Sequence, residues 1–285
     1  MYERVSNRGQ ARPFEFLDGF GWRSKFSHFW QVGVLIKQII WKKAKILNGF
    51  IRTHVRRSGE SYDPAPWFDR FYGSGVSDRQ TIASDKDVTS AQYHYASVEL
   101  LITRYLVNHG ISVQGASVFD IGSGAGHWIN FYKKLGAEKC VGIDVSEHSV
   151  NFLRDEFRDD SSVQMNKVLF QDYLEKTTDQ YDLINAIGVM FHVVDDVDWR
   201  RGLAVIANSL RDGGHLVVGG NFGVLNNINI QFDTENKINK RLRSKRVWAK
   251  TLKCLGFSKC VFYRNNAYLF INDTLPENNI LIATK

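Results

Sequence analysis

Cysteine is scarce in this chain. Cys140, Cys254 and Cys260 are all it has in 285 residues, and they form no C-x-x-C pair. That excludes a disulfide scaffold and a thiol-ligated zinc module, and it fits buried thiols in a reducing compartment. The eight histidines are scattered without H-x-x-x-H or Cys/His spacing, so no metal site is expected. No apolar run reaches the ~18 residues a membrane-spanning helix requires. The residues up to Lys25 mix charges and aromatics and leave no clean apolar core, so they do not read as a secretion signal. The expected location is cytoplasmic.

What the chain does have is an ordinary globular composition, 44% hydrophobic and 24% charged, with a net charge of +7. One α/β domain with an extension fits that length better than two independent domains. The positive excess is uneven: much of it lies between Lys37 and Arg57 and again between Lys237 and Lys259. The middle of the chain is left near neutral.

That middle carries the chemistry. Val118-Phe119-Asp120-Ile121 is a short β-branched and aromatic run of the kind that forms a buried parallel strand. A turn of Gly122-Ser123-Gly124-Ala125-Gly126 follows, then a helical pattern from His127 to Leu135, stopped by Gly136. A second strand, Cys140 to Ile143, ends on Asp144. Strand, glycine turn, helix, strand and acid make a βαβ unit built to hold a nucleoside. Gly122 and Gly124 can take positive φ and let a ligand lie against the backbone, and Gly126 can open the helix close to the sheet. A dinucleotide fingerprint, G-x-G-x-x-G, fails at its sixth position, which is His127. Asp120 stands where dinucleotide phosphates need no acid and suits a cationic ligand instead.

The stretch resembles the first two motifs of class I S-adenosylmethionine-dependent methyltransferases of the small-molecule type. The resemblance covers about residues 90 to 285. It implies a Rossmann-like, seven-stranded α/β sheet, mostly parallel with an antiparallel last strand and helices on both faces; the N-terminal helical extension before it is read from the residue pattern alone. It also implies S-adenosylmethionine as cofactor. Asp120, Gly122, Ser123, Gly124 and Gly126 would cradle the methionine portion, and Asp144 would bind the ribose. Gln171, Asp172 and Ala186 complete the implied cofactor set, with Asp172 beside the exocyclic amine of adenine.

The remaining elements follow in order. Residues 1 to about 28 read as irregular, and a helix is expected from Phe29 to about Arg57, with Lys37, Lys42, Lys45, Arg52 and Arg56 among its polar positions. Two readings of it stay open: a helix packing its apolar face on the domain, or a basic amphipathic helix on an anionic membrane surface with Trp30 and Trp41 near the headgroups. Residues 60 to 88 read as a loop-rich bridge whose aromatics, Trp67 to Tyr72, either plug a core or form a lid that keeps water from the donor. The domain boundary is placed at residues 88/89. A helix is expected from about Ser90 to Asn108, with Gly110 as its stop. The third strand is drawn from Val163 to Phe170, the fourth from Tyr181 to Ile187 and the fifth from His215 to Gly219. Residues 221 to 240 read as an irregular acceptor-side insertion. A basic helix over Ser244–Leu255 and strands at Ser258–Tyr263 and Ile280–Thr284 close the domain.

The segment after the fourth strand bears on the acceptor. Enzymes of this family that methylate base amines carry an Asn/Asp-Pro-Pro-aromatic run there, and this chain has Asn185-Ala186-Ile187-Gly188. The next residues, Val189 to Val193, resemble the apolar-aromatic-His-apolar run of small-molecule enzymes. His192, with a reference pKa of ~6.5, is the candidate general base. Tyr93, His94, Trp128 and Asn221 are the candidate acceptor contacts. The expected activity is O- or N-methylation of a small molecule such as a sugar, lipid headgroup or secondary metabolite. DNA is not expected as a partner, RNA is disfavoured, and a peripheral membrane contact through residues 29–57 stays open. The alternatives are an RNA or protein methyltransferase and a non-catalytic nucleoside-binding module.

Overall fold

The computed structural model describes residues 63–82, 87–220, 222–223, 228–230, 239–264 and 279–285. The helix expected over 29–57 lies outside them.

The first described element corrects the sequence reading. Residues 60–88 were expected to be mostly loop, yet Pro64–Tyr72 is a helix, α1, and Asp78–Ile82 a short second one, α2. Proline opens α1 at its first position, where its missing N–H costs nothing, and Asp63 caps the helix by accepting from the Ala65 N–H at 3.1 Å. Helix α3, Val88–Asn108, is capped by Asp87 and stops at His109.

Alternation then sets the sheet. In β1, Ser117–Ile121, Val118 and Phe119 face opposite sides and are both fully buried, which is the mark of a central parallel strand covered on two faces. Helix α4 (His127–Lys134), β2 (Lys139–Asp144), α5 (Glu147–Glu156) and β3 (Val163–Lys167) follow. Then come α6 (Phe170–Lys176), β4 (Tyr181–Ile187), α7 (Asp196–Ser209) and β5 (Leu210–Gly220). The sheet order is β3-β2-β1-β4-β5-β9-β8, with β9 (Asn279–Thr284) antiparallel to both β5 and β8 (Lys259–Arg264). The expected seven-stranded sheet, mostly parallel with an antiparallel last strand, is therefore the observed one. Two apolar layers cover it. One packs α6, α7 and helix α8 (Lys245–Cys254) against Phe119, Ile184 and Leu216. The other packs α3, α4 and α5 against Val118, Leu183 and Val217.

Two smaller differences bear on the site. The third strand ends at Lys167, not Phe170, because Phe170 and Leu174 lie one helical turn apart and both bury themselves as part of α6. Within 221–240, read as irregular, Ile228–Ile230 (β6) pairs antiparallel with Lys240–Leu242 (β7). The chain order reverses between β1 and β4, so the carboxyl ends of those strands open a crevice there. No described helix is long and apolar enough to cross a membrane.

Candidate active site at the strand switch point

The glycine turn lies at the mouth of that crevice. Gly122, Gly124 and Gly126 have φ of 70°, 54° and 82°, the left-handed region expected of the first two. Close approach makes glycine obligatory as well. A Cβ on Gly122 would sit 2.4 Å from Val189, and one on Gly126 2.5 Å from Leu153. The approach at Gly126 is thus to helix α5, not to the sheet as the sequence reading had it.

Asp120 lies directly beneath the turn. It is 1% exposed, and its Oδ1 accepts a 2.7 Å hydrogen bond from Asn185 Nδ2. Asn185 in turn accepts from the Tyr132 hydroxyl at 3.1 Å. The second Asp120 oxygen, Oδ2, is buried with no hydrogen-bond partner. Burial pushes this carboxyl up to about 6, the hydrogen bond from Asn185 only partly offsets it, and the charge of Asp144 adds to the rise. A buried acid with one unsatisfied oxygen is a place for a cation, since leaving such an acceptor unpaired costs ~1–3 kcal/mol. Ser123 itself is buried, its hydroxyl donating to the Asp120 carbonyl.

Asp144 ends β2, 7% exposed. Its Oδ2 accepts from the Gly124 N–H at 3.0 Å and its Oδ1 from the Ser146 N–H at 2.9 Å. The acid therefore fixes the glycine turn from the end of β2. Burial raises its carboxyl, while these backbone donors pull the other way.

The extension packs over the glycine turn and the start of α5. A Cβ on Gly124 would meet Thr81 at 2.7 Å and the Tyr72 hydroxyl at 3.2 Å. Asp69, on α1, accepts from the Ser146 hydroxyl at 2.8 Å and from the Glu147 N–H at 2.6 Å, clasping the first turn of α5. Burial works against the Asp69 charge, yet these hydrogen bonds outweigh it and hold the carboxyl below its usual range. His127, the residue that spoiled the dinucleotide fingerprint, stacks on Tyr95 at 3.6 Å between Asp78 of α2 (3.2 Å) and Glu99 of α3 (2.7 Å). Asp69→Ala should lower stability by about 1 kcal/mol, the scale of a lost helix cap. It should also speed proteolytic cleavage around α1, which limited trypsin digestion measures.

At its other end α1 meets the fourth-strand loop. The His192 ring lies 5.1 Å from Phe68, 6.4 Å from Trp67 and 4.6 Å from Phe191, centroid to centroid. Its Nδ1 is 2.8 Å from the Asn239 carbonyl oxygen. Burial, and then the neighbouring Lys240 charge, push the imidazole down to about 3. The ring is therefore neutral at physiological pH, with Nδ1–H donating to Asn239 and Nε2 left as the basic nitrogen. Arg243 pins this loop. Buried to 2% exposure, it donates to the carbonyls of Val193, Val194 and Asp195, pairs with Asp196 at 2.8 Å, and stacks over Trp199. Arg241 takes the other Asp196 oxygen at 2.6 Å.

Other candidates fall elsewhere. Asp172 does not end a strand: it sits in the first turn of α6 and pairs with Arg201 at 3.0 Å, 41% exposed. Gln171 is buried, packs against Gly202 of α7, and has an unpartnered Oε1. The Ala186 side chain is in the apolar layer. Trp128, read as an acceptor contact, is a core residue packed against Tyr95 and Phe131. Tyr93 is 43% exposed on α3, and His94 is buried against Tyr95. Asn221 lies outside the described residues.

Sequence reasoning missed Asn185, Asp69, Tyr72, Thr81 and the Arg243–Asp196 pair. Asn185 had a signal: once β1 and β4 are taken as neighbours, it falls opposite Asp120 in register. The others had none, because they depend on how the extension and the insertion fold back.

Comparison with known proteins places this arrangement. Residues 118–214 match a family model described as a methyltransferase domain. Magnesium protoporphyrin IX methyltransferase from Synechocystis PCC 6803, solved with bound S-adenosylmethionine, superposes with a TM-score of 0.56 at 16% identity, over 80% of this chain and 100% of that one. The 1,6-didemethyltoxoflavin-N1-methyltransferase of Burkholderia thailandensis gives a TM-score of 0.57 at 13% identity, over 80% of this chain and 92% of that one. Among characterised sequences, the tRNA U34 carboxymethyltransferase of Dichelobacter nodosus is 31% identical over 119 residues, 40% of this chain. The shared stretch spans 35% of that relative's length.

Proposed function

We propose that this chain, which carries a methyltransferase domain of class I architecture, transfers a methyl group from S-adenosylmethionine to a small-molecule acceptor. The observation that carries the reading is the buried, half-satisfied Asp120 beneath a glycine turn that Asp144 holds in place. The donor fits that chemistry: Asp120 offers an unpaired oxygen to its ammonium group, the bare backbone of Gly122 to Gly126 lets it approach, and Asp144 can accept from its ribose hydroxyls. Bound there, it would supply a methyl carbon activated by a sulfonium leaving group.

The protein's own part is alignment and exclusion of water. Helix α1 bridges from Gly124, through Tyr72, to His192, through Phe68, and so covers the crevice with rings. A mouth of that kind suits an acceptor of a few rings or a sugar better than a folded macromolecule. The role of His192 changes from the one its type suggested. An imidazole held near 3 cannot carry a proton at neutral pH, so it does not activate a hydroxyl by deprotonating it beforehand. It can still take up, transiently, the proton that an acceptor hydroxyl sheds once methylation has made its oxygen an oxonium, an acid stronger than the imidazolium itself. His192→Ala should then lower kcat by about 10² with donor affinity unchanged. The wild-type kcat should show no titration between about pH 5 and pH 8 attributable to this residue. A kcat inflection near ~6.5 that disappears in His192→Ala would overturn the assignment.

An RNA acceptor is the second reading, favoured by the partial likeness to a tRNA-modifying enzyme. Against it stands the row of aromatic rings over the crevice, while the missing Asn/Asp-Pro-Pro-aromatic run speaks only against methylation of a base amine. The deciding experiment incubates the purified protein with radiolabelled S-adenosylmethionine and either a small-metabolite extract or total RNA. Label in the small-molecule fraction supports the first reading; label in RNA alone replaces it with the second.

A further inference from the structure

The net positive charge of this chain comes from two acid-free segments. Residues 19–59 contain 9 Lys or Arg and no Asp or Glu, and residues 236–272 contain 10 and again none. With 37 cations and 30 anions in all, the rest of the chain carries 18 against 30, a net charge of −12. So uneven a distribution gives an anionic partner two places to approach and repels it elsewhere.

Helix α8, the core of the second segment, has the geometry of such a contact. Trp248 and Leu252 face inward, 4% and 0% exposed, and anchor it on the sheet. Arg246, Lys250 and Lys253 recur at four- and three-residue steps, so they form one exposed stripe on the opposite side, ~10 Å long at 1.5 Å per residue. No carboxylate among the described residues pairs with them, in contrast to Arg241 and Arg243 a few positions earlier. The helix begins beside β7, whose Arg241 N–H donates to the Phe191 carbonyl next to His192, so the stripe starts on the active-site side of the sheet.

We infer that the Arg246–Lys250–Lys253 face of α8 docks the protein on an anionic phospholipid surface. Two features favour lipid over nucleic acid. The exposed face of α8 has no aromatic side chain on which a base could stack, Trp248 being spent on the core. Residues 19–59 interleave their cations with Phe26, Trp30, Ile39, Trp41 and Phe50, the composition of a segment that settles at the headgroup boundary. The inference is independent of which acceptor is methylated.

Vesicle flotation tests it with the full chain and two vesicle types, phosphatidylcholine alone and phosphatidylcholine mixed with phosphatidylglycerol. The protein should float with the anionic vesicles only, and less so as salt is raised. Each cation removed should weaken binding about fivefold, so Arg246→Gln/Lys250→Gln/Lys253→Gln should lose on the order of a hundredfold. The charge-preserving Arg246→Lys/Lys250→Arg/Lys253→Arg should bind as wild type does. S-adenosylhomocysteine titrations should give equal affinity for all three proteins, which separates lost docking from a lost fold or a wrong donor. Equal flotation with both vesicle types, or undiminished flotation of the glutamine variant, overturns the inference. So does a fluorescent RNA oligonucleotide that outcompetes the anionic vesicles for the protein.

Discussion

Asp144→Ala should abolish measurable binding of S-adenosylmethionine and destabilise the fold by about 3 kcal/mol. Both effects come from one carboxylate with two tasks. Inside the protein it receives the N–H groups of Gly124 and Ser146, and a hydrogen bond to a charged group is worth ~1.5–3 kcal/mol. Alanine leaves both donors buried without a partner and frees the glycine turn to move. Toward the crevice, the same change removes the group that would accept the ribose hydroxyls. Asp144→Asn should fall between, because its amide keeps one acceptor oxygen but turns an NH₂ toward a backbone N–H. Denaturant unfolding reads the first effect and calorimetry with S-adenosylhomocysteine the second. An alanine variant that unfolds as the wild type does and still binds would mean that Asp144 neither fixes the turn nor faces the ligand.

Donor affinity should also depend on pH through Asp120, and Asp120→Asn should erase that dependence. The folded carboxyl sits near 6, against ~3.9 in an unfolded chain. The native state therefore holds the proton more tightly, and the free protein loses stability as pH rises between those two values. A cationic ligand works in the other direction, since it pairs with the ionised form. Affinity should rise about tenfold per pH unit up to about pH 6 and level off above it. The effect belongs in donor affinity and not in kcat, which distinguishes it from any titration of His192. Asn at position 120 keeps the hydrogen bond with Asn185 but carries no charge. The variant should bind the donor weakly at every pH, and without ligand it should be more stable than wild type at about pH 8. A pH-independent wild-type affinity would remove the carboxylate from the donor's ammonium site.

The central part of this architecture could be read from residues alone. The fourth strand runs from Tyr181 to Ile187 as its apolar pattern requires, and β1, β2 and α4 lie within a residue or two of their expected bounds. These elements announce themselves because both faces of the strands are buried and because Gly136 marks a helix end by local chemistry. The misreadings share a cause. Val168-Leu169-Phe170 has strand composition, yet Phe170 pairs with Leu174 one turn later and goes into a helix, a choice settled by the packing of α6 on α7. Trp128 follows the glycine turn closely enough to suggest a ligand contact, but the helix it stands on turns that position toward α3. Aromatics around Trp67 could plug or cover, and nothing within the segment indicated which.

Sequence by itself determined the nucleoside-holding turn, because a glycine's freedom at positive φ and an acid at a strand end are local properties carried over a few residues. Only the tertiary structure decided what state those groups are in. That Asp120 keeps an unpaired oxygen, that Asp144 braces the turn it borders, and that His192 is neutral at physiological pH all follow from burial and from partners such as Gly124, Asn239 and Asn185, 20 to 65 positions away. Desolvation and long-range hydrogen bonds set protonation, and they exist only once the chain has closed on itself.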